Sequence, residues 1–478
     1  MSIVITVLLT LFVLTAIILD LKGVLRLGSS VGLFLGLSVV PHEIMIFGVL
    51  FYKLESYGIH EGFRIAWICI TVLFTAYWFT RLHIKPYCGK LPVKLRHSVL
   101  YGGGRILKYC AVSCVIQILF YITAFINNFW GLPKWLIITD SIFTLIAVFL
   151  YVLNGTLRIM FLCYRLNIVK RVLYLLLLPI PVVNIFILTS MAHLAQVEYD
   201  YAVYKMECEN QRAESQVCKT KYPLLLVHGI GFRDFKYFNY WGRIPKSLIK
   251  NGATVYYGNQ EALGTVKNNA EDIKKRIEEV IKETGCEKVN IIAHSKGGLD
   301  ARYAASVLGM GKYIASITTV STPHRGSQIA DEANKLPDGF YRLVANFMDE
   351  RFKKLGDKNP DFYTACHQFT SEYAEQFNKE VPDYEGIYYQ SYMSVMKNAS
   401  SFAILSFTYL ILKKYGRNDG LVTEESAKWG EFRGTFENKH RRGISHGDMI
   451  DLKREDYKGF DPVETYIQIV SDLKSKGF

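Results

Sequence analysis

The sequence Val-Asn-Ile-Ile-Ala-His-Ser-Lys-Gly-Gly, residues 289–298, predicts the fold of the C-terminal half of the chain. An apolar, β-prone run ends at Ala293, one residue intervenes, Ser295 follows, and glycines stand at positions 297 and 298. A serine on a tight turn between a strand and a helix needs small residues two positions before and after it, because strand and helix pass closely there. The stretch is therefore a candidate nucleophile elbow with Ser295 as the nucleophile, although alanine stands at 293 where glycine is commoner.

Strand and helix signals alternate around this stretch. Leu224 to Val227 and Ala253 to Tyr257 are short β-prone runs before it, and Ile314 to Val320 is another after it. From Ala270 to Thr284, apolar residues recur at helical spacing until Gly285. This alternation predicts an α/β fold with a mostly parallel, doubly wound sheet.

A glycine-rich turn, His228-Gly229-Ile230-Gly231, follows the first of these strands. Such a turn exposes backbone N–H groups at the carboxyl edge of a parallel sheet, where they can bind a developing oxyanion. We expect the N–H groups of Ile230 and Lys296 to form an oxyanion hole. His228 is expected mainly to hydrogen-bond the turn.

Four blocks at matching spacing resemble the bacterial triacylglycerol lipases of the Pseudomonas, Burkholderia and staphylococcal type, which are α/β-hydrolases. The resemblance covers residues from about 220 to 478 and does not include the N-terminal part. The blocks are Tyr222 to Gly229, Gly252 to Tyr256, Lys288 to Gly298, and Ser321 to Ser327.

The resemblance directs attention to an acid and then a base downstream of Ser295. Asn418-Asp419-Gly420 resembles the acid loop of the family, and Ser445-His446-Gly447 resembles the loop of its base. An imidazole must take the serine proton and return it to the leaving alcohol, while a carboxylate orients the ring. The implied triad is Ser295, Asp419 and His446.

Competitors and possible ligands lie close to these positions. His440 is an alternative base, and Asp448 and Asp451 are alternative acids. Asp448 also matches one calcium ligand of many family members, but no partner carboxylate is evident from Tyr389 to Lys414, so we doubt a structural calcium ion. No organic cofactor is implied, and the zinc-binding insertion of the larger lipases is not recognisable.

The composition indicates a membrane protein. Of 478 residues, 50% are hydrophobic, and the net charge of +13 comes from 56 Lys and Arg against 43 Asp and Glu. Basic residues do not form the runs that bind nucleic acid, so we expect no nucleic-acid partner and assign the charge to loops beside a membrane. Among the cysteines, only Cys208 and Cys218 are placed to form a disulfide.

Residues 1–195 alternate apolar runs with short charged connections, which predicts an α-helical bundle of about six membrane spans. Pro41-His42-Glu43 interrupts the second span, and Asp140 lies near the start of the fifth. Residues 196–220 form a charged connector, and residues 221–478 form the hydrolase-like domain. The spans are Ile3 to Leu19, Val31 to Tyr52, Ile65 to Thr80, Tyr109 to Trp130, Trp135 to Leu157, and Val172 to Met191.

Lysine and arginine are concentrated in the loops after the third and fifth spans, which predicts that these loops face the cytoplasm. With six spans, the N-terminus and the hydrolase-like domain would both lie on the outer, extracellular face. This location would also permit a disulfide between Cys208 and Cys218.

An insertion at residues 328–387 is too long for a simple connection. One helical face within it is apolar, with Phe340, Leu343 and Phe347 among its residues. In lipases such an insertion is a lid, and the alternative is a helical subdomain packed permanently on the sheet. Phe402 to Leu412 is also apolar, is too short to span a bilayer, and is expected to be a core helix.

Together these features predict a membrane-anchored serine carboxylic-ester hydrolase that acts on acyl esters of glycerolipids beside a bilayer. A phospholipase or a deacylase of a lipid-linked glycan would use the same triad, and these alternatives stay open. In another alternative the membrane spans carry the main role, as a transport or interaction module, with His42 and Glu43 as its sequence support.

Overall fold

The chain forms two compact units in the computed structural model, Met1–Cys208 and Glu209–Phe478. Each unit has its own hydrophobic core. The structure describes residues 11–48 with interruptions, 61–85, 94–166, 168–180, 182–232, 239–454 and 459–478.

Helices form the N-terminal unit. Three of the described helices, α2, α3 and α4, are long and apolar enough to cross a membrane, judged by length and composition. The helices are α1 (Ser30–Val39), α2 (Glu61–Ile84), α3 (Leu95–Ile126), α4 (Lys134–Leu162), α5 (Ile168–Leu177) and α6 (Val183–Ser215).

These helices support three of the six predicted spans. The third, fourth and fifth spans coincide with α2, α3 and α4. The first span and the later part of the second lie largely outside the described residues, and the beginning of the second forms the short helix α1 with the 3-10 turn Val40–His42.

The sixth span is wrong as a single membrane helix. Helix α5 ends at Leu177, shortly before Pro179, and α6 begins at Val183. Proline cannot continue a helix because it lacks the N–H group and its ring meets the preceding turn. Helix α6 then runs to Ser215 through residues too polar to qualify as a span, so most of the predicted connector 196–220 is helical.

A six-stranded, wholly parallel sheet organises the C-terminal unit, in the order β2-β1-β3-β4-β5-β6. The elbow strand β3 lies inside the sheet, and all its residues are buried. The strands are β1 (Leu224–Val227), β2 (Val255–Tyr257), β3 (Val289–His294), β4 (Ile314–Val320), β5 (Tyr388–Ser394) and β6 (Glu431–Phe436).

Helices cover both faces of this sheet, as an all-parallel sheet requires. Alternate residues of β1 enter two different cores: Leu224 and Leu226 join one, and Leu225 and Val227 join the other. The helices are α7 (Ile244–Lys250), α8 (Val266–Thr284), α9 (Gly297–Ser306), α10 (Gln328–Ala333), α11 (Asp338–Lys354), α12 (Phe362–His367), α13 (Ser371–Glu380), α14 (Ser406–Leu412), α15 (Glu424–Ala427) and α16 (Pro462–Ser475).

The insertion at 328–387 contains helices α10 to α13. The apolar face of α11 points away from the core, because Phe340, Leu343 and Phe347 are 57%, 68% and 55% exposed. Helix α14 is only partly the predicted core helix: Tyr409 and Leu412 are buried, whereas Phe407 is 74% exposed. Both helices therefore present apolar side chains to solvent.

The expected disulfide between Cys208 and Cys218 is not formed. Both cysteines are free thiols. Cys208 belongs to helix α6, while Cys218 is fully buried in the core beneath α16. Burial raises the pKa of the Cys218 thiol to about 12, which keeps it protonated and unreactive.

Candidate active site

Ser295 lies between β3 and α9 in a backbone conformation that serine rarely adopts. Its φ is 55°, in the left-handed region, which costs a residue with a Cβ roughly 1–2 kcal/mol. Its N–H donates to the carbonyl of Val320 at 3.0 Å and fixes the turn to the end of β4. Strain of this kind is concentrated at functional sites.

Close packing explains the glycines after Ser295. A Cβ atom added at Gly297 would lie 2.5 Å from the carbonyl oxygen of His228 and 2.7 Å from that of Val227. One added at Gly298 would lie 2.3 Å from Oγ1 of Thr322. A larger residue at either position would push the elbow away from the neighbouring loops.

Asp419 and His446 form a buried pair. Nδ1 of His446 lies 2.8 Å from Oδ2 of Asp419, and Asp419 is fully buried. Oδ1 of Asp419 accepts hydrogen bonds from the N–H groups of Leu421 at 3.0 Å and Val422 at 2.9 Å. The N–H of His446 also donates to the carbonyl of Asp419 at 2.9 Å. These bonds hold the carboxylate in one orientation, which in turn fixes the imidazole.

The histidine of this pair lies against the elbow. The ring centroids of His446 and His294 are 4.4 Å apart, and His294 immediately precedes Ser295. The alternative base, His440, lies on an exposed segment. The structure therefore brings His446, and not His440, to the turn that carries the serine.

The alternative acids are engaged elsewhere. Asp448 accepts hydrogen bonds from Arg442 at 2.7 Å and from the hydroxyl of Ser445 at 2.7 Å. Asp451 forms a two-pronged pair with Arg243, with both distances 2.7 Å. The described residues contain no group of three or more His, Cys, Asp or Glu that could hold a metal ion.

The glycine-rich turn approaches the serine closely. A Cβ atom added at Gly229 would lie 2.8 Å from Cβ of Ser295. Among the described residues, neither the N–H of Ile230 nor that of Lys296 donates to a backbone carbonyl. Neither donor is thus bound to a described backbone carbonyl, which agrees with the expected oxyanion hole.

The expected role of His228 is confirmed. Its ring nitrogens lie 2.7 Å from the carbonyl oxygen of Gly229 and 3.0 Å from that of Gln260. The side chain of Gln260 donates back to the carbonyl of His228 at 2.9 Å. These contacts hold the shape of the turn.

The sequence analysis missed a buried ion pair beside the nucleophile. Nζ of Lys296 lies 2.6 Å from Oδ1 of Asp300, and both side chains are 1% exposed. The amide of Asn269 donates to the other oxygen of Asp300 at 3.1 Å. Burial raises the pKa of Asp300 to about 6, and Lys296 opposes that rise. The signal in the sequence was a lysine followed four residues later by an aspartate on one helix.

A second missed contact fixes the residue before the nucleophile. The hydroxyl of Tyr240 lies 2.7 Å from Nδ1 of His294, which is fully buried. Burial lowers the pKa of His294 well below its ordinary value, so this ring stays neutral beside His446. The two residues are 54 positions apart in the sequence, so no local pattern could have indicated the contact.

Comparisons with known proteins agree with this architecture. A family model described as alpha/beta hydrolase fold matches residues 222–430. Triacylglycerol lipase 2 of Saccharomyces cerevisiae is 28% identical over 315 residues, which cover 62% of this chain and 88% of that protein. A triacylglycerol lipase of Pseudarthrobacter phenanthrenivorans is 41% identical over 177 residues, or 34% of this chain and 54% of that protein.

Among solved structures, mature lipase BlEst2 of Bacillus licheniformis superposes with a TM-score of 0.41 at 22% identity, over 52% of this chain and 92% of that chain. The segment that the family model matches, residues 222–430, contains the elbow, the glycine-rich turn and the Asp419 loop. The C-terminal unit of this chain therefore has an α/β-hydrolase fold and is similar in sequence to bacterial and yeast triacylglycerol lipases.

Proposed function

We propose that the chain is a serine carboxylic-ester hydrolase, a lipase or esterase of glycerolipids, anchored in a membrane by its N-terminal helices. One observation carries the proposal. His446 is bonded to the buried Asp419 at 2.8 Å, and its ring lies 4.4 Å from that of His294, next to the strained Ser295. Nucleophile, base and orienting acid are the parts that acyl transfer needs.

The reaction proceeds through an acyl-enzyme. Ser295 Oγ transfers its proton to Nε2 of His446 and attacks the ester carbonyl carbon. The N–H groups of Ile230 and Lys296 bind the oxyanion, and His446 returns the proton to the leaving alcohol. Water, activated by the same histidine, then releases the fatty acid, and the cycle uses no cofactor.

Two features support a lipid ester as the substrate. The similar proteins from yeast and Pseudarthrobacter are named triacylglycerol lipases. In addition, α11 presents Phe340, Leu343 and Phe347 to solvent, and a helix face of this kind suits contact with lipid. We propose that the insertion at 328–387 acts as a lid over the site.

The three apolar helices α2 to α4 support membrane anchoring. The placement of the hydrolase on the outer face rests on the loop charges and requires that residues 172–191 cross the membrane as a segment broken between α5 and α6, since one span fewer reverses it. Protease treatment of intact cells should digest the C-terminal unit. Its full protection would contradict the outer location.

A phospholipase or a deacylase of a lipid-linked glycan would use the same residues. Hydrolysis of phospholipid vesicles, compared with that of an emulsified triacylglycerol, separates these substrates.

The first experiment measures hydrolysis of p-nitrophenyl butyrate and p-nitrophenyl palmitate by the full-length protein in detergent. Ser295→Ala should lower kcat by about 10⁶, as in other serine hydrolases that lose the nucleophile. Ser321→Ala is the matched control, because Ser321 is another buried serine with positive φ, 52°, at the end of a neighbouring strand. Its activity should stay at the wild-type level.

The ratio of the two rates also separates an esterase, which prefers butyrate, from a lipase, which prefers palmitate. The proposal fails if folded wild-type protein hydrolyses neither ester nor a panel of glycerolipids. It also fails if Ser295→Ala is as active as the wild type.

A further inference from the structure

Helix α1 stops inside the N-terminal unit, and polar side chains from two longer helices bind its last carbonyls. Ser113 donates to the carbonyl of Leu37 at 2.7 Å, and Gln117 donates to that of Ser38 at 3.1 Å. Thr144 donates to the carbonyl of Pro41 at 2.9 Å. Non-helical backbone at membrane depth is tolerated only where such partners replace the lost hydrogen bonds.

The interruption brings His42 to a carboxylate. Nδ1 of His42 lies 3.0 Å from Oδ2 of Asp140, which is fully buried within α4. The hydroxyl of Tyr121 donates to the same oxygen at 2.9 Å, and the N–H of Met45 donates to Oδ1 at 3.0 Å. Asp140 therefore accepts three hydrogen bonds from three different parts of the unit.

Among the described residues of this unit, the other buried acids, Asp20 and Glu198, have arginine partners. Asp20 lies 2.8 Å from Arg81, and Glu198 lies 2.6 Å from Arg96. Among the described residues, Asp140 has no lysine or arginine partner, and its one basic neighbour is His42. With a neutral His42 the cluster carries one negative charge between apolar helices. A proton on His42 cancels that charge.

One nitrogen of His42 is available for this proton. Nε2 is buried and has no hydrogen-bond partner among the described residues. The ring packs on Phe120 with centroids 4.0 Å apart. The titratable groups that face His42 from α3 and α4 are Tyr121 and Asp140.

We propose that His42 and Asp140 form a binding site for one exchangeable proton within the membrane region. Nε2 of His42 accepts the proton from water, while Nδ1–H stays on Asp140. The empty site has a charge of minus one and the loaded site is a neutral ion pair. Ionisable residues inside a membrane domain are candidates for this role because their burial is otherwise unfavourable. The site is separate from the proposed ester hydrolysis.

The test uses the full-length protein, labelled with ¹⁵N-histidine, in phosphatidylcholine nanodiscs. Nitrogen chemical shifts are followed from about pH 5 to about pH 9, a range centred on ordinary histidine titration. The signal of His42 is assigned by its absence in His42→Gln. We expect its Nε2 to gain a proton within this range. In Asp140→Asn the midpoint should fall by at least about one pH unit, a tenfold loss of proton affinity.

His83→Gln is the matched control, since His83 bonds the amide of Asn154 and has no carboxylate partner among the described residues. It should leave the His42 midpoint unchanged. The proposal is overturned if His42 does not titrate, or if its midpoint is the same in Asp140→Asn. Should Asp140→Asn not fold, Tyr121→Phe replaces it. Loss of a hydrogen bond to the carboxylate should raise the midpoint, and an unchanged midpoint contradicts the proposal.

Discussion

Two histidine–aspartate pairs with the same bond lie in different units of this chain. In the hydrolase unit, Nδ1 of His446 lies 2.8 Å from Asp419, and in the N-terminal unit Nδ1 of His42 lies 3.0 Å from Asp140. Both carboxylates are fully buried and accept further hydrogen bonds. The pair by itself therefore does not define a chemical role.

The surroundings of the two rings differ. His446 lies against a strained elbow whose serine can give up a proton. His42 lies against Phe120 in an apolar helical region, where its second nitrogen meets no described donor or acceptor. In the two proposals made above, the same dyad therefore serves general base catalysis in one unit and proton binding in the other.

Among the tests of this comparison, the largest expected effect separates the two aspartates. Asp419→Asn should lower kcat for p-nitrophenyl esters by about 10⁴, because the amide stabilises the wrong tautomer of His446. Asp140→Asn should leave ester hydrolysis unchanged. Steady-state kinetics of both variants in detergent provides the measurement. Equal losses in both would remove the distinction drawn between the pairs.

A third buried carboxylate, Asp300, is paired with a lysine, so its variants measure what a permanent cation contributes to stability. Lys296→Met should destabilise the hydrolase unit by about 3–5 kcal/mol, since it removes the cation that stabilises the buried Asp300 carboxylate. The double variant Lys296→Met/Asp300→Leu should recover most of this loss. Scanning calorimetry of the hydrolase transition measures both. A single variant as stable as the wild type would mean that the ion pair contributes nothing.

Buried histidines without a carboxylate should make the hydrolase unit sensitive to acid. Burial lowers the pKa of His294 and of His324 well below the ordinary value. Below pH 6.5 the unfolded chain takes up protons that the folded chain excludes, so stability is complete above that pH and lost as pH falls. Each histidine should contribute up to about 1.4 kcal/mol per pH unit.

Unfolding transitions recorded between neutral and mildly acidic pH give this slope. His324→Gln should reduce the slope, whereas a slope unchanged by the substitution would assign the effect to other groups.

The smallest expected effect concerns the cysteines near the boundary between the units. A reducing agent should leave the unfolding temperatures and the activity unchanged, because Cys208 and Cys218 are free thiols. Thiol titration of the denatured protein, with and without reductant, is the direct check. A fall in stability on reduction would indicate that Cys208 and Cys218 do form a disulfide.

Apolar runs in the sequence predicted the strands whose residues are mostly apolar. The bounds of β1 and β4 agree with the expected runs, and Gly285 ends α8 with a φ of 68°. Strand β5 was missed because buried polar residues interrupt its apolar pattern. Gln390 donates to Thr318 at 2.8 Å, and Ser391 donates to the carbonyl of Trp429 at 2.7 Å. Hydrogen bonds between distant residues replace hydrophobicity there, and no local pattern records them.

The candidate site also has residues that motifs predicted and contacts that no local pattern predicted. Ser295, Asp419 and His446 were indicated by motifs, and their roles stay predictions until variants are measured. The contact between Tyr240 and His294 and the pair of His42 with Asp140, 98 positions apart, depend on tertiary packing. For Asp140 the sequence indicated only an acidic residue near the start of the fifth predicted span. Its partner became evident from the helix packing.

Because of its positive φ, Ser295 lowers the stability of the fold at the same position where the proposed activity needs a serine. Glycine adopts a φ of 55° without the cost that a Cβ imposes. Ser295→Gly should thus increase the free energy of unfolding of the hydrolase unit while removing the proposed nucleophile.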